Sequence, residues 1–259
     1  MARRLQREAG PFFWAALSRC FPVSSPSSSA STVGPAIPSP AGNASPSLAM
    51  EYQQAAQWAA QHLESYRKDP SGWSGCKRSN NVTISWKPSN IFRGNLYRAE
   101  GILAAKPEDV LKCIMPETGG LREKWDNNVT KLVVVESINN NVCVLRTTTP
   151  SVLMNMISPR EFLDVVLIQE NEDGSKMTAA TNVEHPLSPP QPNYVRGLNF
   201  PCGCFLIPVP GDPNKTHLLS FFQTDLGGSL PQKIIESFFP RSITGFYGNL
   251  ANAAVTLVP

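Results

Sequence analysis

A chain of 259 residues with 41% hydrophobic and 17% charged side chains has enough apolar material for one large or two small folded domains. Its formal charge of +3 comes from the first 49 residues, where Arg3, Arg4, Arg7 and Arg19 stand against one acid, Glu8; residues 50 to 259 carry 19 basic and 19 acidic groups. A neutral domain without a clustered basic face argues against a nucleic-acid partner, and no run approaches the roughly 18 apolar residues of a membrane span.

From Val23 to Ser47, 14 of 25 residues are Ser or Pro, so ordering the backbone costs more than burial returns. Residues 1–49 are therefore expected to be a disordered extension, and 50–259 the folded domain. The extension's Arg-rich start, with Phe12, Phe13, Trp14 and Leu17, fits either a targeting or surface-anchoring segment or an inert leader.

Tyr52, Ala55, Ala56, Ala59, Leu63 and Tyr66 form one stripe of an amphipathic helix that Asp69-Pro70 ends. Alternation in Val82–Trp86 and again in Leu96–Leu103, around Arg93-Gly94-Asn95, predicts a hairpin. Pro107-Glu108-Asp109 opens a helix that Met115-Pro116 stops, and a second short helix spans Leu121–Trp125. Strands follow at Val129–Ile138, Val142–Thr148, Glu161–Glu170, Lys176–Asn182 and Leu218–Thr224. The turns Asn139-Asn140-Asn141 and Asp173-Gly174 pair neighbours antiparallel. The stretch from His185 to Pro213 is proline-rich, with strand-like fragments around Val195–Ile207, which suits edge strands and loops. From Pro231 a long helix carries Ile235, Phe239, Ile243, Phe246, Leu250, Ala253 and Leu257 on one stripe, with Pro240 removing one backbone donor and predicting a kink. Helices bracketing an antiparallel sheet define an α+β class.

The anomaly lies between two strands. Turns normally carry polar residues, yet residues 151–157 include Val152, Leu153, Met154, Met156 and Ile157, following the hydroxyls of Thr147, Thr148 and Thr149. A hydroxyl-lined strand end under an apolar flap fits a pocket for an apolar, sparsely polar molecule; a loop closing an ordinary core is the alternative. The six cysteines show no zinc spacing and read as reduced thiols. Cys202 and Cys204 share one strand face, which favours packing over redox or metal work. No metal and no cofactor are expected.

Four segments, Leu96-Tyr97-Arg98-Ala99-Glu100-Gly101, Lys124-Trp125-Asp126, Ser158-Pro159-Arg160-Glu161-Phe162 and Asp225-Leu226-Gly227-Gly228 with Leu230-Pro231, resemble in order and spacing the signatures of the StAR-related lipid transfer (START) domain family, over about residues 50 to 256. Arg146-Thr-Thr-Thr-Pro150, Val183-Glu-His-Pro186 and Pro201-Cys-Gly-Cys204 are similar to its small soluble sterol and bile-acid binding subgroup. The resemblance implies a helix-grip fold, a curled antiparallel sheet around the carboxy-terminal helix enclosing a lipid tunnel. It also implies a cytosolic monomer that carries one sterol, oxysterol or bile acid between membranes, touching their surfaces transiently.

In the steroidogenic member of that family the tunnel carries a glutamate and an arginine; the matching positions here are Thr147 and Val166. With those charges absent, Arg122 is the expected polar anchor, aided by Thr149. The competing assignment pairs Arg122 with Glu123 or Asp126 on the surface. Leu153, Met154 and Met156, with Phe239, Ile243 and Phe246 of the final helix, become the expected gate. Arg160 is expected to be structural, held by a buried acid. His185 and His217 stand without a nucleophile turn, phosphate loop or metal cluster, so no catalytic residue is assigned and an esterase or thioesterase-like reading ranks behind a carrier or a lipid-sensing adaptor.

Overall fold

Helix α1 (Pro46–Lys68) begins ahead of its apolar stripe, because the Ser45 hydroxyl accepts from the Leu48 N–H and Pro46 sits in the first turn. Its first residues thus fall inside the stretch expected to belong to the extension. The computed structural model describes residues 45–79, 81–115, 118–151 and 157–258. After α1 come strands β1 (Ser74–Ser79), β2 (Val82–Pro88) and β3 (Asn95–Leu103), then helices α2 (Pro107–Ile114) and α3 (Leu121–Trp125). Next are β4 (Lys131–Ser137), β5 (Val142–Thr148), β6 (Arg160–Glu170) and β7 (Lys176–Asn182). The chain ends with the short β8 (Val195–Arg196) and β9 (Leu198–Asn199), the long β10 (Cys202–Val209) and β11 (Asp212–Phe222), then β12 (Thr224–Asp225) and helix α4 (Gln232–Thr256).

The main sheet runs β1-β2-β3-β11-β10-β7-β6-β5-β4 and is antiparallel along that path; β8 adds to β6 in parallel and β12 pairs with β9. Two antiparallel runs, one from each half of the chain, meet where β3 pairs with β11. The sheet stays open, with β1 and β4 at its edges, and does not close into a barrel. Strand β1 was not expected: Ser-Gly-Cys-Lys-Arg-Ser lacks apolar alternation and is held by pairing with β2 through a turn in which Asn81 adopts φ 63°.

Alternation sends each central strand's side chains to two cores. Leu163, Val165 and Leu167 of β6 pack toward α1, with Val144, Phe205 and Phe221. Phe162, Val166 and Ile168 face the opposite side, with Leu145, Cys204, Leu218 and the buried residues of α4. Leu63 of α1 lies so close to Gly203 that a Cβ there would stand 2.4 Å from its Cδ2 and 1.9 Å from the Thr178 carbonyl oxygen. Only glycine fits this crossing. Helix α4 runs through Pro240 within one assigned span and packs against α2, α3, β2 and β3. The Tyr247 hydroxyl fixes its position, 2.8 Å from the Ala99 carbonyl and 2.9 Å from Ser220 Oγ.

Candidate functional site

The α4-facing side of β5 and β6 is an apolar wall with a few polar exceptions. Register places Thr147 opposite Phe162 and Leu145 opposite Asp164, so Thr147, Asp164 and Val166 all look toward the α4 side. Thr147 and Val166, expected as lipid contacts, are buried, and the Thr147 hydroxyl finds no hydrogen-bond partner among the described residues. A buried hydroxyl without a partner is costly in an apolar core.

Arg122 reaches this interior from α3. It is fully buried and ion-paired with Asp126 one turn on, Nη2 to Oδ2 at 2.9 Å and Nε to Oδ2 at 3.0 Å. Asp126 accepts further bonds from the Asn128 backbone N–H at 3.1 Å and side-chain amide at 2.6 Å. Burial lowers the Arg122 guanidinium's pKa and raises that of the Asp126 carboxyl, while their mutual attraction opposes both shifts. The partner is therefore one of the two acids considered from the sequence, but the pair lies in the interior, not on the surface. Glu123 instead accepts the Leu132 N–H at 3.0 Å, tying α3 to β4. The Arg122 guanidinium also stands over the Phe246 ring, 5.9 Å from its centroid.

Phe239, Ile243 and Phe246, the expected gate residues of α4, are buried. Phe239 stacks on Tyr97 at 4.9 Å, and Phe246 meets Trp125 at 5.6 Å and Phe222 edge-on at 6.2 Å. Leu153, Met154 and Met156 lie outside the described residues. The base of this stretch is closed by hydrogen bonds. Thr149 and Arg160 clasp it, with the Thr149 N–H donating to the Arg160 carbonyl at 2.9 Å and the Arg160 N–H donating to Thr149 Oγ1 at 3.1 Å. The Thr149 hydroxyl, expected to meet a lipid, is engaged in this clasp.

Arg160 departs from its expected buried acid. Its guanidinium donates to three carbonyls, those of Ser158, Leu226 and Gly227, the Leu226 bond measuring 3.2 Å. Carbonyls suffice because the Gly227-Gly228 turn, at φ 65° and 69°, folds the chain back onto the arginine. A cavity of about 230 Å³ adjoins this clamp, bounded by Tyr97, Leu226, Gly227, Leu230, Ile235 and Phe239 at the start of α4.

Asp164 and Asn199 escaped the sequence reading. Asp164 Oδ2 accepts from Asn199 Nδ2 at 2.9 Å, whose own Oδ1 accepts from Thr224 Oγ1 at 2.7 Å. Burial pushes the Asp164 carboxyl up to about 8, against the Asn199 hydrogen bond and the attraction of Arg196. The available signal was an acid in the middle of an apolar strand, at the same parity as Val166. Cys202 and Cys204 share one strand face, as expected, and are buried on the side that faces α4; burial raises the Cys204 thiol to about 12, which suits packing and not thiolate chemistry.

An open antiparallel sheet packed on one face against a long carboxy-terminal helix, with a mainly apolar interior between them, defines the helix-grip class of fold. The model of the START domain family matches residues 53–249, and this chain belongs to that family. It is 56% identical to the mouse (Mus musculus) StAR-related lipid transfer protein 5 over 203 residues, covering 76% of this chain and 95% of the relative. It is 52% identical to the human (Homo sapiens) protein of the same name over 208 residues, covering 80% and 96%. A solved structure of human StAR-related lipid transfer protein 5 superposes with a TM-score of 0.76 at 50% identity, covering 80% of this chain and 98% of that one. Among the described residues no helix is long and apolar enough to cross a membrane.

Proposed function

We propose that this chain binds one sterol, oxysterol or bile acid in the interior between the sheet and α4, and carries it through the cytosol as a monomer between membranes that it touches transiently. The observation that carries the reading is the α4-facing side of β5 and β6, where aliphatic and aromatic side chains surround isolated buried polar groups, the pattern a rigid lipid with one or two polar ends requires. The names of the relatives, lipid transfer proteins, support the same class of activity. In this reading Thr147 and Val166 line the ligand, while Thr149 shapes the loop base beside it. Arg122 turns toward a ligand carboxylate or hydroxyl when one competes with Asp126. Leu153, Met154 and Met156 form the gate with Phe239, Ile243 and Phe246, and the cavity beside Phe239 is its outer end.

Burying a rigid apolar lipid contributes about 25 cal/mol per Å² of surface kept out of water, which holds it in the protein while it crosses the aqueous phase between membranes. Donor vesicles carrying dehydroergosterol and acceptor vesicles carrying a quencher test this. Sterol movement should accelerate in proportion to the protein added. Binding without acceleration would overturn the carrier reading and favour a lipid-sensing adaptor.

A further inference from the structure

We propose that Asp164 and Thr147 together form a hydroxyl-recognising site on the α4-facing side of β5 and β6, distinct from the Arg122–Asp126 pair, that selects lipids carrying an uncharged hydroxyl. The assignment rests on the lipid-carrier reading and names the polar group that reading leaves open. Both side chains are fully buried, and Asp164 Oδ1 and Thr147 Oγ1 each lack a hydrogen-bond partner among the described residues. They are diagonal neighbours across the β5–β6 pairing, where Cα atoms stand about 7–8 Å apart and side chains converge. One oxygen placed between them, at about 2.8 Å from each, satisfies both.

The surroundings point Asp164 toward this task. Its other oxygen is fixed by Asn199, which is itself held by Thr224 and, through its carbonyl, by Asn182 Nδ2 at 2.6 Å. A side chain anchored on one oxygen and unsatisfied on the other is preorganised for a ligand. The ionisable groups bearing on it are Arg196 of β8 and the Cys202 thiol of β10. Burial outweighs the Arg196 attraction, so the carboxyl keeps its proton at neutral pH. A neutral acid both donates and accepts, as a hydroxyl partner requires, whereas a carboxylate would only accept and would repel an anionic group. A neutral hydroxyl therefore has a partner of its own in Asp164, apart from the Arg122–Asp126 pair.

Competition between cholesterol and cholest-5-ene, the same skeleton without its hydroxyl, tests the site when read as the ratio of bound masses in native mass spectrometry of the full chain. The wild type should favour cholesterol by about tenfold or more, because the hydrocarbon leaves two buried polar groups unpaired. Asp164→Asn, neutral and able to donate and accept, should keep most of that preference, and Asp164→Leu should bring the ratio near one. A merely structural Asp164 would instead lower binding of both lipids and leave the ratio unchanged. Should Asp164→Leu fail to fold, Thr147→Val decides: a fall in the ratio of about threefold or more supports the shared site, and an unchanged ratio overturns it. A wild type that binds both lipids equally overturns this proposal alone, whereas one that binds neither overturns the carrier reading as well.

Discussion

Arg122 and Asp126 bind one another where neither side chain reaches water, so removing the arginine takes the acid's charge partner away. Arg122→Leu leaves the Asp126 carboxyl, among the described residues, with Asn128 alone, and the expected cost is about 3–5 kcal/mol of folding stability. Replacing both, Arg122→Met with Asp126→Leu, should recover most of that loss in urea unfolding. A single-variant loss below about 1 kcal/mol would show that the pair is not buried as described. Asp164 gives a pH signature instead. Its ordinary value of 3.8 rises to about 8 in the fold, so as pH climbs through that window the unfolded chain holds fewer protons than the native one. The stability contributed by the raised value is complete below the unfolded pKa and is lost as pH approaches the folded one. Asp164→Asn removes this titration. Its unfolding midpoint should vary less than the wild type's between about pH 5 and pH 8, and parallel curves would refute the assignment.

At the level of elements, Arg160 joins the start of β6 to the chain leading into α4. Its guanidinium holds Ser158, beyond the loop, to Leu226 and Gly227, which lead into α4. A cation that, among the described residues, is held by carbonyls and no acid is a clamp that small movements of either segment can open. Arg160→Met should therefore speed amide hydrogen exchange in residues 157–160 and 224–236, while leaving protection of α1 unchanged. Uniform faster exchange would mean that the arginine supports the whole fold and not this junction. On the outer face, Gly203→Ala sets a Cβ against the Thr178 carbonyl and Leu63. It should cost about 1–3 kcal/mol or more by overpacking, read as a lowered melting temperature.

Across the whole molecule, what was legible in the sequence followed from local signals. Pro107 and Met115-Pro116 bracket α2, Leu121–Trp125 matches α3, and the turns at Asn139-Asn140-Asn141 and Asp173-Gly174 join antiparallel strands. The long stripe from Pro231 became α4. Features set by distant partners were not legible. β1 is a strand because β2 pairs with it, not because of its own side chains. Arg160 finds carbonyls some 66 and 67 residues away, which no local pattern announces. Arg122 could be matched to Asp126 by its spacing of four, yet spacing carries no burial, and burial is what changes the chemistry of that pair. Asp164 was hidden by the same limit: one acid in an apolar strand looks tolerable until the face it occupies is known. The start of α1 was missed because serine and proline, abundant in the preceding stretch, also make a good cap.

The interior between the sheet and α4 is proposed to hold a single sterol-class lipid. The chain should be incubated with an equimolar pool of cholesterol, an oxysterol, a bile acid and phosphatidylcholine, then weighed under native conditions. One adduct per protein, of sterol or bile-acid mass, is expected, and it should disappear on unfolding. Retention of phosphatidylcholine in preference to the others, or no retained lipid at all, would contradict it.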